Sequence, residues 1–206
     1  MSTIMDGQPE KRMADNYEII QAVYIGDKEV VMGLDETNAM PYFCAFYTSN
    51  EICGSYNDCI ISDDYVEMVE LFAERVSKQC QKVREEREKI AVPKEPVTKD
   101  MCMPLTDSSL IGKVVAIRDT SLRPEYQTAP YQLAYVTGGN GARGKARGSA
   151  CICINLYSGK SSRWERQDIQ GEVKAECLPD WAKDRAEKIR KKEKKDRQKS
   201  NRQKER

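Results

Sequence analysis

The chain contains no histidine, and this absence excludes more chemistry than any residue present suggests. Without imidazole there is no Ser-His-Asp or Cys-His relay and no histidine metal ligand. Carboxylate, lysine or tyrosine acid–base chemistry stays open in principle, yet no pair of carboxylates stands out by spacing or context. Apolar residues are sparse, 39% against 33% charged, so 206 residues make small cores that carry long solvated segments. No apolar run approaches the ~20 residues a bilayer span needs, and the opening MSTIMDGQPEKR has no signal-peptide core. The expectation is a soluble, cytoplasmic protein without a membrane partner. C-x-x-C is missing as well. Among eight cysteines, Cys44, Cys80, Cys151 and Cys153 sit inside apolar patterns, which predicts free thiols over disulfides or a metal centre.

Charge is present in quantity, and it is segregated. The formal net charge is +1, but residues 1–91 hold 9 Lys and Arg against 18 Asp and Glu. Residues 183–206 hold 13 against 5, a net of +8. The middle is near balance, with 12 against 10. An acidic front and a basic tail are the chief bulk feature.

The pattern of elements predicts an α+β protein in two parts. Residues 1–14 are polar and expected to be disordered. In residues 15–91, YEIIQAVYI and EVVMGL alternate as strands around Gly26-Asp27, a short hairpin-turn pair. Tyr42–Tyr47 reads as a third strand, and a further short one is expected around Cys59–Ile61. A long helix follows, with Asp64 as N-cap and Glu67 at capping-box spacing. Tyr65, Val69, Phe72, Val76, Cys80 and Val83 form its apolar stripe. The acidity of this unit admits two readings, a mimic of DNA phosphates or a solvated helix face. Residues 92–108, with three prolines, read as a linker. Residues 109–182 read as a mostly-β unit, with strands at Ile111–Arg118, Leu133–Thr137, Ser149–Tyr157 and Trp164–Val173. A terminal helix starts near Asp180, with Trp181 packed back on the sheet. The basic tail 183–206 is expected to fray and to be dispensable for folding.

Glycine, cation and aromatic concentrate in one stretch, LAYVTGGNGARGKARGSACICINLYSGKSSRWERQDIQGEV. Its glycine-rich loop matches G-x-G-x-x-G from Gly139 to Gly144, but the next apolar run is CICINLY, a strand pattern where a helix should hold pyrophosphate. It also matches G-x-x-x-x-G-K to Lys145, but Ala146 stands where a Mg²⁺-binding Ser or Thr is required. What survives is a flexible loop whose amides and cations Arg143, Lys145 and Arg147 suit a phosphate backbone. Lys160, Arg163 and Arg166 are candidates to extend the surface. Trp164 either stacks on a base or joins the core. The alternative for the whole loop is a long hairpin whose charges only keep it soluble.

The run TGGNGARGKARGSACICINLYSGKSSRWERQDIQGEV, with SLRPEYQTAPYQL before it and LPDWAKDR after it, resembles a family of small accessory proteins. These are carried by conjugative and phage-like elements of Firmicutes. The segments YEIIQAVYIGDKEVVMGLDE and ISDDYVEMVELFAERV extend the resemblance to nearly the whole chain except the tail. It implies cargo that evades host defence, similar to type II-A anti-CRISPR inhibitors of Cas9 that also engage DNA. The family brings no catalytic motif to these residues.

The expected function is therefore non-enzymatic, with no cofactor and no metal. It is inhibition of a nucleic-acid-directed defence nuclease of the Cas9 type, with double-stranded DNA or another nucleic acid as second partner. The competing expectation is a DNA-binding accessory factor of element transfer or maintenance. A weaker one is an enzyme acting on a phosphate-bearing substrate at the glycine loop.

Overall fold

Alternating apolar residues that must face two different layers dictate the first unit. In the computed structural model, which describes residues 11–49, 53–145 and 147–204, this unit is an antiparallel meander with a helix laid on it. The strands are β1 (Met13–Ala14), β2 (Tyr17–Ile25), β3 (Lys28–Leu34), β4 (Tyr42–Ser49) and β5 (Gly54–Ser62), paired in sequence order. The β2–β3 hairpin closes between Ile25 and Lys28, where Gly26 supplies the positive φ of 65°. β3 is central and buried on both faces. Val30 and Met32 join Cys44 and Met68 beneath helix α1 (Tyr65–Glu88), while Val31 joins Tyr17, Phe43 and Ala45 on the other face. That second face is closed by the N-terminal segment itself. Arg12 lies 4.2 Å over the Tyr47 ring and pairs with Glu29 at 2.8 Å, and the Tyr56 hydroxyl donates to the Met13 carbonyl. Residues 11–14, expected to be disordered, are thus a covering segment that ends in the short strand β1; residues 1–10 of that expectation lie outside the described residues.

Helix α1 starts where the capping residues predict. The Asp64 carboxylate accepts from the amides of Val66 (2.7 Å) and Glu67 (3.2 Å). Glu67 does not complete the box; its carboxylate accepts instead from Ser62 Oγ at 2.7 Å. The buried stripe also differs from the expected one. Tyr65 is 51% exposed, Val69 37%, and Cys80 faces solvent. Of the expected stripe, Val83 is buried and Phe72 and Val76 pack against the core, while Met68, Arg75 and Gln79 are buried in place of the other three. The physical reason is backbone hydrogen bonding. β4 and β5 slip register between Cys44 and Phe46, and Asp58 sits there at φ 52°. Arg75 donates to the carbonyls of Cys44 (3.1 Å) and Asp58 (2.7 Å) at this bulge. Gln79 donates to the Ile25 carbonyl and to Asp27 Oδ1 at the hairpin. Bonds from the charged Arg75 are worth about 1.5–3 kcal/mol each and those from the neutral Gln79 carboxamide about 0.5–1.5 kcal/mol, which together favour the helix rotation that turns both residues inward.

The second unit, residues 90–206, is a six-stranded sheet covered by a C-terminal helix. Its strands are β6 (Cys102–Met103), β7 (Val114–Ile117), β8 (Leu133–Gly138), β9 (Ala150–Asn155), β10 (Ser161–Glu165) and β11 (Ile169–Val173). They stand in the order β10-β9-β8-β7-β11-β6. β7, reading VVAI, is buried throughout. Val114 and Ala116 face a core shared with Leu133, Tyr135, Leu156, Ala182 and Ala186. Val115 and Ile117 face Ala134, Val136, Cys151, Cys153 and Ile169.

Three expectations about this unit need correction. The expected linker, residues 92–108, belongs to the fold. Val97 is buried, bound through its amide and carbonyl to the fully buried carboxamide of Gln132, and Cys102–Met103 supplies an edge strand on β11. The expected strand Trp164–Val173 is two strands. A 3-10 turn at Arg166–Asp168 separates them, and β10 and β11 lie at distant places in the sheet. The basic tail begins inside a helix, α3 (Asp180–Lys204), that starts at Asp180 itself. Ala182 and Ala186 are buried, Trp181 meets Tyr157 edge-on at 6.2 Å, and the Tyr135 hydroxyl donates to Glu193 at 3.0 Å. Among the described residues, no helix is long and apolar enough to cross a membrane.

Candidate nucleic-acid interface

In the loop between β8 and β9, residues 139–145 are pinned by backbone bonds, and their sequence explains why. Gly139 turns the chain at φ 104°, where a Cβ would strike the Ala150 carbonyl. The Gly141 amide then donates to Ala150 at 2.8 Å. Ala142 turns inward and is buried against Leu110 and Val136 in the sheet core. The neighbouring segment 107–110 clasps the loop twice: the Leu110 amide donates to the Ala142 carbonyl, and the Lys145 amide to the Asp107 carbonyl, both at 2.8 Å. Lys145 itself takes a left-handed φ of 50°.

Arg166 locks this arrangement. Its Nη1 donates to the Gly141 carbonyl and its Nη2 to the carbonyls of Thr106 (2.6 Å) and Ser108 (2.9 Å). Its backbone amide bonds the Ser149 carbonyl at 2.7 Å. The guanidinium is aimed by the 3-10 turn, which the reciprocal Glu165–Asp168 cap holds: the Glu165 amide donates to the Asp168 carboxylate at 2.9 Å.

The six sequence candidates therefore divide. Arg143, Lys145 and Arg147 are exposed, and with Asn140, Gly144 and Gly148 they line a cleft of about 360 Å³. Among the described residues no carboxylate pairs with these three side chains. Arg166 is half-buried and committed to backbone carbonyls, so its part in the site is to position the loop. Arg163 pairs with Glu165 at 2.7 Å in the middle of β10. Lys160 lies in the turn at the opposite end of the β9–β10 hairpin, five or so residues and roughly 17 Å of strand away. Trp164 takes the core alternative: it packs on the Cys151–Ile169 side of the sheet, its indole N–H donating to Ser162 Oγ at 3.0 Å.

One contributor was not recognised in the sequence. Helix α3 runs from Tyr157 towards Gly112, whose carbonyl accepts from Arg190 at 3.2 Å and whose amide bonds Val136. β8 climbs in the same direction, from Leu133 to Gly138. The helix thus advances towards the end of the unit that carries the loop, bringing the exposed Lys191, Lys192, Lys194 and Lys195 with it. The signal lay in the Ala182–Ala186–Ile189 spacing, easily lost in so charged a segment.

Beneath the loop, the thiols are packing groups. Burial pushes the Cys153 thiol up to about 12 and raises Cys151 as well, the Arg166 charge partly opposing the second shift. Among the described residues, no group of three or more Cys, Asp or Glu is placed to hold a metal ion. The residues after Gly139–Gly144 lead into strand β9, so no helix N-terminus faces the glycines as a dinucleotide fingerprint requires. No protein-family model, curated protein or solved structure matches the chain.

Proposed function

We propose that this chain is a non-enzymatic binding protein that grips a nucleic-acid phosphate backbone with residues 139–149. Its most concrete form is an inhibitor of a defence nuclease of the Cas9 type that engages both the nuclease and DNA. The observation that carries phosphate binding is three exposed cations around one cleft, on a loop whose residues 141–145 are held by backbone bonds to 107–110 and by Arg166. A preorganised loop loses little conformational entropy on binding, and backbone amides with Arg and Lys contact phosphate without reading bases. The inhibitor role is supported by the sequence resemblance; the absence of histidine bears only on the non-enzymatic part of the reading. A DNA-binding accessory role in element transfer uses the same loop and is the second reading. A plasmid-interference assay in cells with an active Cas9 separates the two. An inhibitor restores transformation; interference that persists while the purified protein still binds DNA supports the accessory role.

A further inference from the structure

We propose a second docking site, on the first unit: the outer edge of β5 and the adjoining flank of α1 receive an extended, cationic segment of a partner protein as a sixth strand. It goes beyond phosphate binding and uses none of the loop residues. β5 pairs with β4 on one side, and among the described residues no strand pairs with its other side, which is the edge of the sheet. Edge strands are usually guarded by lysine, proline or a covering element. β5 reads GSYNDCIIS and contains neither lysine nor proline. Its bulge at Asp58 interrupts the edge, leaving Cys59–Ser62 beyond it as a regular stretch. Within that stretch Ile60 is 45% and Ile61 51% exposed, two adjacent isoleucines on a strand exposed along nearly all its length.

Beside this edge lies a groove of about 450 Å³, lined by Ile60 of β5 and Leu71 of α1. Its helix wall carries Glu67, Glu70 and Glu74, at intervals of three and four and so on one flank. Those intervals cover about 10 Å of helix, the span of two to three alternate side chains on a strand. Glu67 holds Ser62 and Glu74 shares Lys78 at 2.5 Å, while Glu70 has no ion-pair partner among the described residues. Apolar floor, open backbone edge and anionic wall together specify the occupant: main-chain groups that complete the ladder, apolar side chains over Ile60 and Leu71, and Lys or Arg towards the glutamates. A second copy of this chain fits less well, since pairing β5 with β5 would bring two such acidic flanks into one interface.

The test uses the full-length, isotope-labelled protein and a ten-residue peptide of alternating lysine and valine, followed by amide NMR. Saturable shifts at Cys59–Ser62 and along residues 67–74 are expected. N-methylation of the peptide along one edge should weaken binding by about tenfold or more, because it removes ladder bonds. Glu70→Lys with Glu74→Lys should weaken it comparably, and both positions are exposed, so the fold should hold. No saturation at millimolar peptide, or binding indifferent to N-methylation, overturns the proposal. So does a concentration-dependent dimer that Ile61→Asp abolishes, which would identify a second copy as the occupant. None of these outcomes bears on the phosphate loop.

Discussion

The Arg166 guanidinium donates to three carbonyls in two segments, Gly141 in one and Thr106 and Ser108 in the other. Arg166→Met should therefore cost about 1–3 kcal/mol, since a half-buried charged donor is lost and its acceptors are left unpaired. Amide exchange in residues 139–145 should quicken in that variant. Arg143→Ala, by contrast, should stay within about 0.5 kcal/mol of the parent, as exposed loop charges do. Chemical denaturation and hydrogen exchange of both proteins check the pair. Cys153 supplies a pH dependence. Its folded value of about 12 lies above the ordinary 9.0 because the buried thiolate is poorly solvated. The unfolded chain therefore releases this proton first as pH rises. The contribution of the neutral thiol is intact below about 9 and is lost progressively towards about 12. Melting temperature should fall across that window, and Cys153→Val should show a shallower fall.

At the scale of elements, the parts readable in the sequence are those fixed by neighbours along the chain. The Gly26-Asp27 hairpin follows from one residue's tolerance of positive φ, and the start of α1 from Asp64. The apolar stripe of α1 is legible at Phe72, Val76 and Val83 but not at Arg75 and Gln79, which look like surface residues; what turns them inward are carbonyls at Cys44, Asp58 and Ile25, 17 to 54 positions away. Residues 92–108 look like a linker for the same reason. Val97 and Cys102 are isolated apolar residues in proline-rich text, and their partners Gln132 and β11 come later in the chain. In the candidate site, the exposed loop cations were legible from composition, whereas the Arg166 lock depends on a 3-10 turn hidden inside an apparent strand. The tail shows the consequence. Deleting residues 183–206 removes Ala186, Ile189 and the Glu193 acceptor of Tyr135. We expect that deletion to destabilise the second unit by about 2–5 kcal/mol, lowering its melting temperature by roughly 10 °C or more. Deleting only residues 194–206 should change stability by about 0.5 kcal/mol or less. Calorimetry of the two truncations separates the anchored half of α3 from the projecting one.

Across the whole molecule, charge follows the two units. The acidic first unit offers an anionic groove beside an open strand, and the near-neutral body of the second carries a cationic loop with a basic helix advancing towards it. The two surfaces have opposite sign, so the chain is suited to hold a basic protein segment and a polyanion without the two competing for one place. The central claim concerns the polyanion. It is tested most directly by the salt dependence of duplex-DNA affinity in protein lacking residues 194–206, where the projecting helix gathers no counterions. Each phosphate contact contributes about −0.9 to the slope of log affinity against log salt. Changing Arg143, Lys145 and Arg147 together to alanine should flatten that slope by roughly two to three units, nearly independently of DNA sequence, with melting unchanged. An unaltered slope in a folded triple variant would contradict the account and leave residues 139–149 a solvated, well-pinned hairpin.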